Sequence, residues 1–192
     1  MMGPLIILSG PAGSGKSTIV RRLLEEKTWP LRLSVSVTTR APRPKEVDGV
    51  HYYFRTREYF QAEIEAQAFL EWAEVFGNYY GTPRSEVEPF RQQDIGVLLD
   101  IDVKGWEQVR KSCPDVVSIF VRTSSMETYE KRLRDRKTET EAALQRRLEG
   151  ARLEVARAPE YDYQVINDDL EIALTETRRI IGPLFERKTH AG

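Results

Sequence analysis

Leu5-Ile6-Ile7-Leu8-Ser9-Gly10-Pro11-Ala12-Gly13-Ser14-Gly15-Lys16-Ser17-Thr18 is the stretch that decides the fold class. Its apolar opening, with two isoleucines, runs into a glycine-rich turn and reads as a buried strand entering a tight loop. Behind the loop, Ile19, Val20, Leu23 and Leu24 recur at helical spacing up to Glu26, so this segment lays one face on a sheet. Residues 10–17 satisfy G-x-x-x-x-G-K-S/T, and the strand before and helix after are the context that gives the match its weight. Glycines let backbone N–H groups turn inward around a phosphate, and the helix that starts there offers its positive dipole end. Lys16 then reaches the β- and γ-phosphates of a nucleoside triphosphate, and Ser17 offers a hydroxyl to Mg²⁺.

Working outward, residues 33–37, 96–102, 116–121 and 163–167 have strand character, and helical pattern follows each directly or after a loop. Ser124 with Glu127 three residues later reads as a capping box, and Leu170, Ile172, Ala173, Ile180 and Ile181 mark a last helix. The alternation predicts an α/β fold, a parallel sheet wrapped by helices. Residues 39–82 interrupt it. They are rich in Tyr, Phe and Trp, with turns at Val47-Asp48-Gly49 and Gly77-Asn78, which predicts short antiparallel strands and a helix over residues 58–66. Residues 131–147 are densely charged, with arginines at 132, 134, 136, 146 and 147, and read as a mobile flap between two helices.

Composition limits what such a fold can be used for. The 192 residues are 40% hydrophobic and 31% charged, which suits one globular unit with a substantial core. Lys plus Arg number 29 against 30 Asp plus Glu, a net charge of -1, so there is no global positive field for a nucleic-acid backbone and phosphate binding has to be local. Cys113 is the one cysteine and His51 and His190 the two histidines, so no internal disulfide or Cys/His metal cluster can form; a reducing cytoplasm fits. The N-terminal apolar run is too short for a signal peptide or a membrane span, so no membrane partner is expected.

Several blocks beyond the phosphate loop carry a resemblance. Ser34-Val35-Ser36-Val37-Thr38-Thr39-Arg40-Ala41-Pro42-Arg43, Glu46-Val47-Asp48-Gly49 and Tyr52-Tyr53-Phe54 closely resemble the GMP-binding region of guanylate kinases. Phe69-Leu70-Glu71-Trp72 and Gly77-Asn78-Tyr79-Tyr80-Gly81-Thr82 resemble it too. Leu98-Leu99-Asp100-Ile101-Asp102 looks like the family's second acidic strand, Lys131 to Arg136 with Thr138-Glu139-Thr140-Glu141 and Arg147 like its lid, and Val165-Ile166-Asn167-Asp168 like its adenine-side segment. The blocks stand in the family's order along nearly the whole chain. One departure is Arg136-Lys137, where the family commonly has Arg-Gly; Thr82 stands where some members have serine.

The resemblance implies a P-loop NTPase-type core (residues 1–37, 83–130 and 148–192), a small mixed α+β GMP-binding subdomain (38–82) and a helical lid (131–147). It implies that residues 10–18 with Asn167 and Asp168 bind ATP. Arg40, Arg43, Tyr52 and Tyr80 would hold the GMP phosphate, and Ser36, Glu71, Thr82 and Asp100 would surround guanine. Asp100 and Asp102, both candidate GMP-binding residues, read as two residues apart on one strand face at the strand's C-terminal end, where ligands gather, so one of them is expected close to Mg²⁺ or GMP. Lys16, Arg132, Arg136 and Arg147 would clamp the transferring phosphoryl group.

The residue chemistry agrees. Two arginines three residues apart supply planar donor forks for a compact anion, and tyrosine hydroxyls fill the remaining directions. A carboxylate such as Glu71 accepts from guanine N1 and N2, while the Ser36 and Thr82 hydroxyls can donate to O6; adenine presents the opposite polarity. His51 abuts the loop and reads as a strand residue. Two other functions remain open at this point, a ribose bisphosphate kinase and a non-catalytic guanylate-kinase-like binding module. Oligomeric state is not legible in the sequence.

Overall fold

The computed structural model describes residues 2–75, 77–135 and 141–186. Its main sheet holds β1 (Leu5–Ser9), β2 (Leu31–Leu33), β7 (Gly96–Asp100), β8 (Val117–Arg122) and β9 (Tyr163–Ile166), all parallel, in the order β2-β7-β1-β8-β9. A smaller sheet, order β4-β3-β6-β5, combines β3 (Val37–Thr38), β4 (Tyr53–Phe54), β5 (Phe69–Val75) and β6 (Asn78–Pro83). The helices are α1 (Lys16–Glu26), α2 (Arg57–Glu65), α3 (Glu88–Gln92), α4 (Val103–Ser112), α5 (Met126–Asp135), α6 (Glu141–Ala156) and α7 (Leu170–Glu186). The α/β expectation holds.

Every residue of β1 is buried, because the strand lies between neighbours on both edges and layers on both faces. Side chains alternate between those faces. Leu5 and Ile7 join Val97, Leu99, Trp106 and Phe120 on one side, while Ile6 and Leu8 join Ile19, Leu23, Leu98, Val165 and Ile181 on the other. Helix α4 thus covers one face, and α1 with α7 the other. At about 25 cal/mol per Å², each such fully buried aliphatic side chain contributes about 1.5–3 kcal/mol. The small sheet has its own core of Val37, Phe60 and Phe69, in which the Phe60 and Phe69 rings stack at 4.4 Å.

The stretch of strand character at residues 33–37 is not one strand. Leu33 ends β2 in the main sheet and Val37 begins β3 in the small one, and Ser34 to Ser36 carry the chain across between them. Hydrophobic pattern reports burial and cannot say in which sheet a residue is buried. Asp102 is not on the strand with Asp100: β7 ends at Asp100, and Asp102 is the N-cap of α4, its carboxylate accepting from Gly105 N at 2.9 Å. Helix α5 starts one residue later than the Ser124–Glu127 pattern suggests. The Ser124 N–H is held by Asp168 Oδ1 at 3.0 Å, and Ser125 Oγ accepts from Thr128 N at the helix start. Ile172 is 67% exposed, so the apolar face of α7 is carried by Ala173, Leu174 and Ile181 instead. Residues 131–135 and 141–147 of the expected flap are helical, in α5 and α6; Arg136, Lys137, Thr138, Glu139 and Thr140 lie outside the described residues.

Candidate active site

A cleft of about 480 Å³ opens where the C-terminal ends of β1 and β7 face the small sheet, the position where open α/β sheets gather ligands. One wall is the phosphate loop, Gly10 to Thr18, all of whose residues line the cleft. Gly15 sits at φ +84°, and a Cβ there would lie 2.2 Å from the Asn167 amide nitrogen, so the loop tolerates no side chain at this point. The Asn167 Nδ2 donates to Ser14 O at 2.7 Å, and the Arg132 Nη2 donates to Asn167 O at 2.7 Å. Asn167 is buried, and both of these residues brace the loop from outside the cleft lining; Asp168 is exposed.

At the cleft floor Lys16 Nζ forms an ion pair with Asp100 Oδ1. Their closeness follows from register, since Asp100 is paired with Leu8 at the end of β1, where the loop begins. Burial pulls the lysine's pKa down, but the Asp100 charge and hydrogen bond, together with the charges of Glu154 and Asp102, more than offset it, and the net direction is upward. Lys16 is therefore cationic at neutral pH. Ser17 is exposed on the same wall, and Asp102 lines the cleft with Asp100.

The opposite wall comes from the small sheet. Glu71 on β5 is 5% exposed, and its Oε1 accepts from the Thr82 hydroxyl across 2.6 Å, where β5 and β6 pair Glu71 with Thr82. Burial is the largest influence on its carboxyl, the Asp102 charge adds to it, and against the Thr82 hydrogen bond they push its pKa up to about 7. Thr82 is buried and outside the cleft lining, and its hydroxyl is already used on the carboxylate. Ser36, Tyr52 and Tyr80 line the cleft, and the two tyrosine rings meet edge to face at 6.0 Å.

Arg40 lies beside them, its guanidinium 5.5 Å from the centre of the Tyr52 ring. Its fork is held by both oxygens of Glu46, at 2.9 Å each, and Glu46 Oε2 also accepts from the backbone N–H of Arg43 at 2.6 Å. The Arg40 bond is the main reason the Glu46 carboxyl falls to about 2. The Arg43 side chain is exposed. In the sequence Glu46 is visible only as an acid six residues after Arg40 in a turn; its hold on the Arg40 fork belongs to the folded loop. His51 lines the cleft from a turn, its Nδ1 accepting from Val47 N at 3.1 Å, and is not a strand residue. Arg147 is on α6, half-buried and outside the cleft lining; Arg136 lies outside the described residues.

A parallel sheet whose first strand feeds a glycine loop and helix, with a second sheet closing over that loop, defines a P-loop α/β protein that handles nucleoside phosphates. The guanylate kinase family model matches residues 2–183, and the chain belongs to that family. The guanylate kinase of Synechococcus sp. (strain JA-3-3Ab) is 49% identical over 181 residues, covering 94% of this chain and 83% of that protein. That of Symbiobacterium thermophilum is 51% identical over 179 residues, 93% of this chain and 84% of its own. The crystal structure of guanylate kinase from Anaplasma phagocytophilum superposes with a TM-score of 0.78 at 35% identity, covering 98% of this chain and 88% of that one. Among the described residues, no helix is long and apolar enough to cross a membrane.

Proposed function

We propose that this protein transfers the γ-phosphoryl group of MgATP to GMP, giving ADP and GDP, and accepts dGMP as well. The observation that carries the proposal is one cleft in which the phosphate loop faces a buried carboxylate, Glu71, with a lysine cation at its floor. In this reading residues 10–18 take the triphosphate. Arg40, Arg43, Tyr52 and Tyr80 fix the GMP phosphate, with Glu46 presetting the Arg40 fork. Glu71 accepts from guanine N1 and N2, and Ser36 supplies a donor toward O6. Thr82 serves by holding Glu71. Asn167 and Asp168 lie on the ATP side, Asn167 through its hold on Ser14 O.

Transfer needs positioning and charge neutralisation more than covalent chemistry. The second pKa of a phosphate monoester is about 6, so GMP arrives dianionic and requires no general base. Lys16 stands beside the incoming γ-phosphate, and Arg132, Arg136 and Arg147 complete the cationic clamp from the lid, residues 131–147. The GMP-binding subdomain, residues 38–82, and the lid close over the core and keep out water, which would otherwise take the phosphoryl group. Mg²⁺ fits the donor set: the Ser17 hydroxyl and the Asp100 and Asp102 carboxylates are hard oxygen donors on the same cleft. Bound with ATP, it would neutralise charge on the phosphate oxygens. A cytoplasmic location, with ATP and GMP as partners and neither nucleic acid nor membrane, belongs to the same proposal.

Turnover of ATP with GMP, and with AMP as the control acceptor, tests it. Formation of GDP with AMP disfavoured by about 10⁴-fold in kcat/KM is expected from a site built on hydrogen bonds to one base. Equal use of the two acceptors, or phosphorylation of a ribose bisphosphate in their place, would overturn it.

A further inference from the structure

Glu71 is seated against a helix of the other subdomain. Its Oε2 lies against Gly105 in the first turn of α4, where a Cβ would come within 2.6 Å of Oε2 and 3.1 Å of the carboxyl carbon. Three residues further along α4, Gln108 reaches the outer edge of β5 and grips the backbone beside Glu71. Its Oε1 accepts from Trp72 N at 3.2 Å, and its Nε2 donates to Trp72 O at 2.7 Å. A single amide side chain thereby does for one residue what a neighbouring strand would do. With Thr82 on Oε1, the carboxylate is fixed from two directions and its strand from a third.

Glycine is a poor choice for a buried helical turn, since alanine is the better helix former and would bury a methyl group. Space explains it. We infer that Gly105 is a specificity-determining position: its missing side chain is the room in which the Glu71 carboxylate sits, and Gln108 holds β5 at the register that delivers the carboxylate there. A methyl group at 105 would meet Ile101 Cβ at 3.3 Å on one side and the end of the flexible Glu71 side chain, far closer, on the other, so the carboxylate is the group that yields most. Glu71 would swing away from Thr82 and from its place in the cleft while the fold stays intact.

This inference rests on the guanine-site role proposed for Glu71, and the experiment separates the two. Gly105→Ala, Glu71→Ala and the double variant are compared by steady-state kinetics for GMP and ATP, with thermal melting of each. Gly105→Ala is expected to lower kcat/KM for GMP at least about tenfold, with KM for ATP unchanged within about twofold and a melting temperature lowered by no more than loss of the Thr82–Glu71 hydrogen bond accounts for. In the Glu71→Ala background the same change should cost less than about twofold, because the group it displaces is gone.

Gly105→Ala with wild-type GMP kinetics, or with an equal loss in both backgrounds, overturns the inference. So does a melting temperature lowered as much in the Glu71→Ala background, where there is no Thr82–Glu71 bond to lose, as in wild type, which would mean the methyl group displaces backbone. If Glu71→Ala itself leaves GMP kinetics within about twofold of wild type, the guanine-site role fails first and takes this inference with it.

Discussion

The Thr82 hydroxyl donates to Glu71 Oε1 across 2.6 Å between adjacent strands, and both residues are buried. A donor placed behind a carboxylate fixes its orientation and leaves the second oxygen to face Gly105 and the cleft. Replacing Thr82 with the isosteric valine removes a hydrogen bond to a buried acid, worth about 1.5–3 kcal/mol when the acid is charged. The variant should lose about tenfold or more in kcat/KM for GMP while KM for ATP stays put. Unchanged GMP kinetics would show that Glu71 needs no such support.

Glu71 also makes the protein sensitive to pH. Its folded pKa of about 7 lies above the ordinary 4.5, so the native state keeps this proton while the unfolded chain has lost it. Stability contributed by the group is therefore present at low pH and declines as pH rises from about 4.5 to about 7, by up to about 3 kcal/mol. Glu71→Gln removes the titration. Melting curves at about pH 5 and about pH 8 should show the glutamine variant gaining on wild type at the higher pH, and a constant gap would refute the shifted value.

Ligand binding carries the same linkage with opposite consequence. Guanine presents donors, so it selects the ionised carboxylate, and GMP binding at about pH 6 should expel a proton from Glu71. Calorimetry in two buffers of different ionisation heat measures this, with Glu71→Gln as the control for the titration of GMP's own phosphate. Equal proton release by both proteins would separate Glu71 from the base.

Base preference follows from the same residue. Each mispaired buried polar group costs about 1–3 kcal/mol, and an amide in place of the carboxylate presents its own donors to the base. The ratio of kcat/KM for GMP to that for AMP should fall at least about tenfold in Glu71→Gln. The phosphate clamp proposed for Arg40 and Arg43 is untouched by this change, so monophosphates should still bind. A ratio equal to wild type would remove Glu71 from the guanine site.

Lys16→Ala should lower kcat by about 10²–10³-fold or more, since a cation positioned at the transferring charge is worth several kcal/mol. Its pairing with Asp100 adds a structural consequence that the motif does not announce, because the variant leaves a half-buried carboxylate without its cation. Lys16→Ala combined with Asp100→Asn should melt higher than Lys16→Ala alone, with kcat no better. A kcat within about threefold of wild type would sink the role assigned to the loop.

Arg147 stands on α6, outside the cleft lining, and in the proposed mechanism it would join the phosphates only when the lid closes. Arg147→Ala should reduce kcat far more than it weakens GMP binding, the pattern of a contact made mainly in the transition state. A fall in GMP affinity at constant kcat would place this arginine in substrate binding instead.

The phosphate loop was legible in the sequence because all its chemistry is local: eight consecutive residues, a strand before and a helix after. The assignment of further blocks to GMP binding rested on resemblance. Glu71 shows why, since one glutamate in an apolar strand is silent about whether its carboxyl faces water or a pocket. Misplacements arose where a local pattern was asked for a nonlocal answer. Residues 33–37 read as one strand and belong to two sheets; Asp102 read as strand and caps a helix.

Taken alone, the sequence determined the nucleotide-binding loop, the α/β alternation and the set of charged and aromatic groups available, because these depend on spacing along the chain. Tertiary structure decided the pairings: Lys16 with Asp100, Thr82 with Glu71, Arg40 with Glu46, and Glu71 against Gly105. Most of these partners lie on different elements, and whether two side chains meet depends on register, sheet order and the packing of one subdomain on the other. A carboxylate's charge state depends on those same neighbours and on burial, so the chemistry of Glu71 exists only in the folded chain.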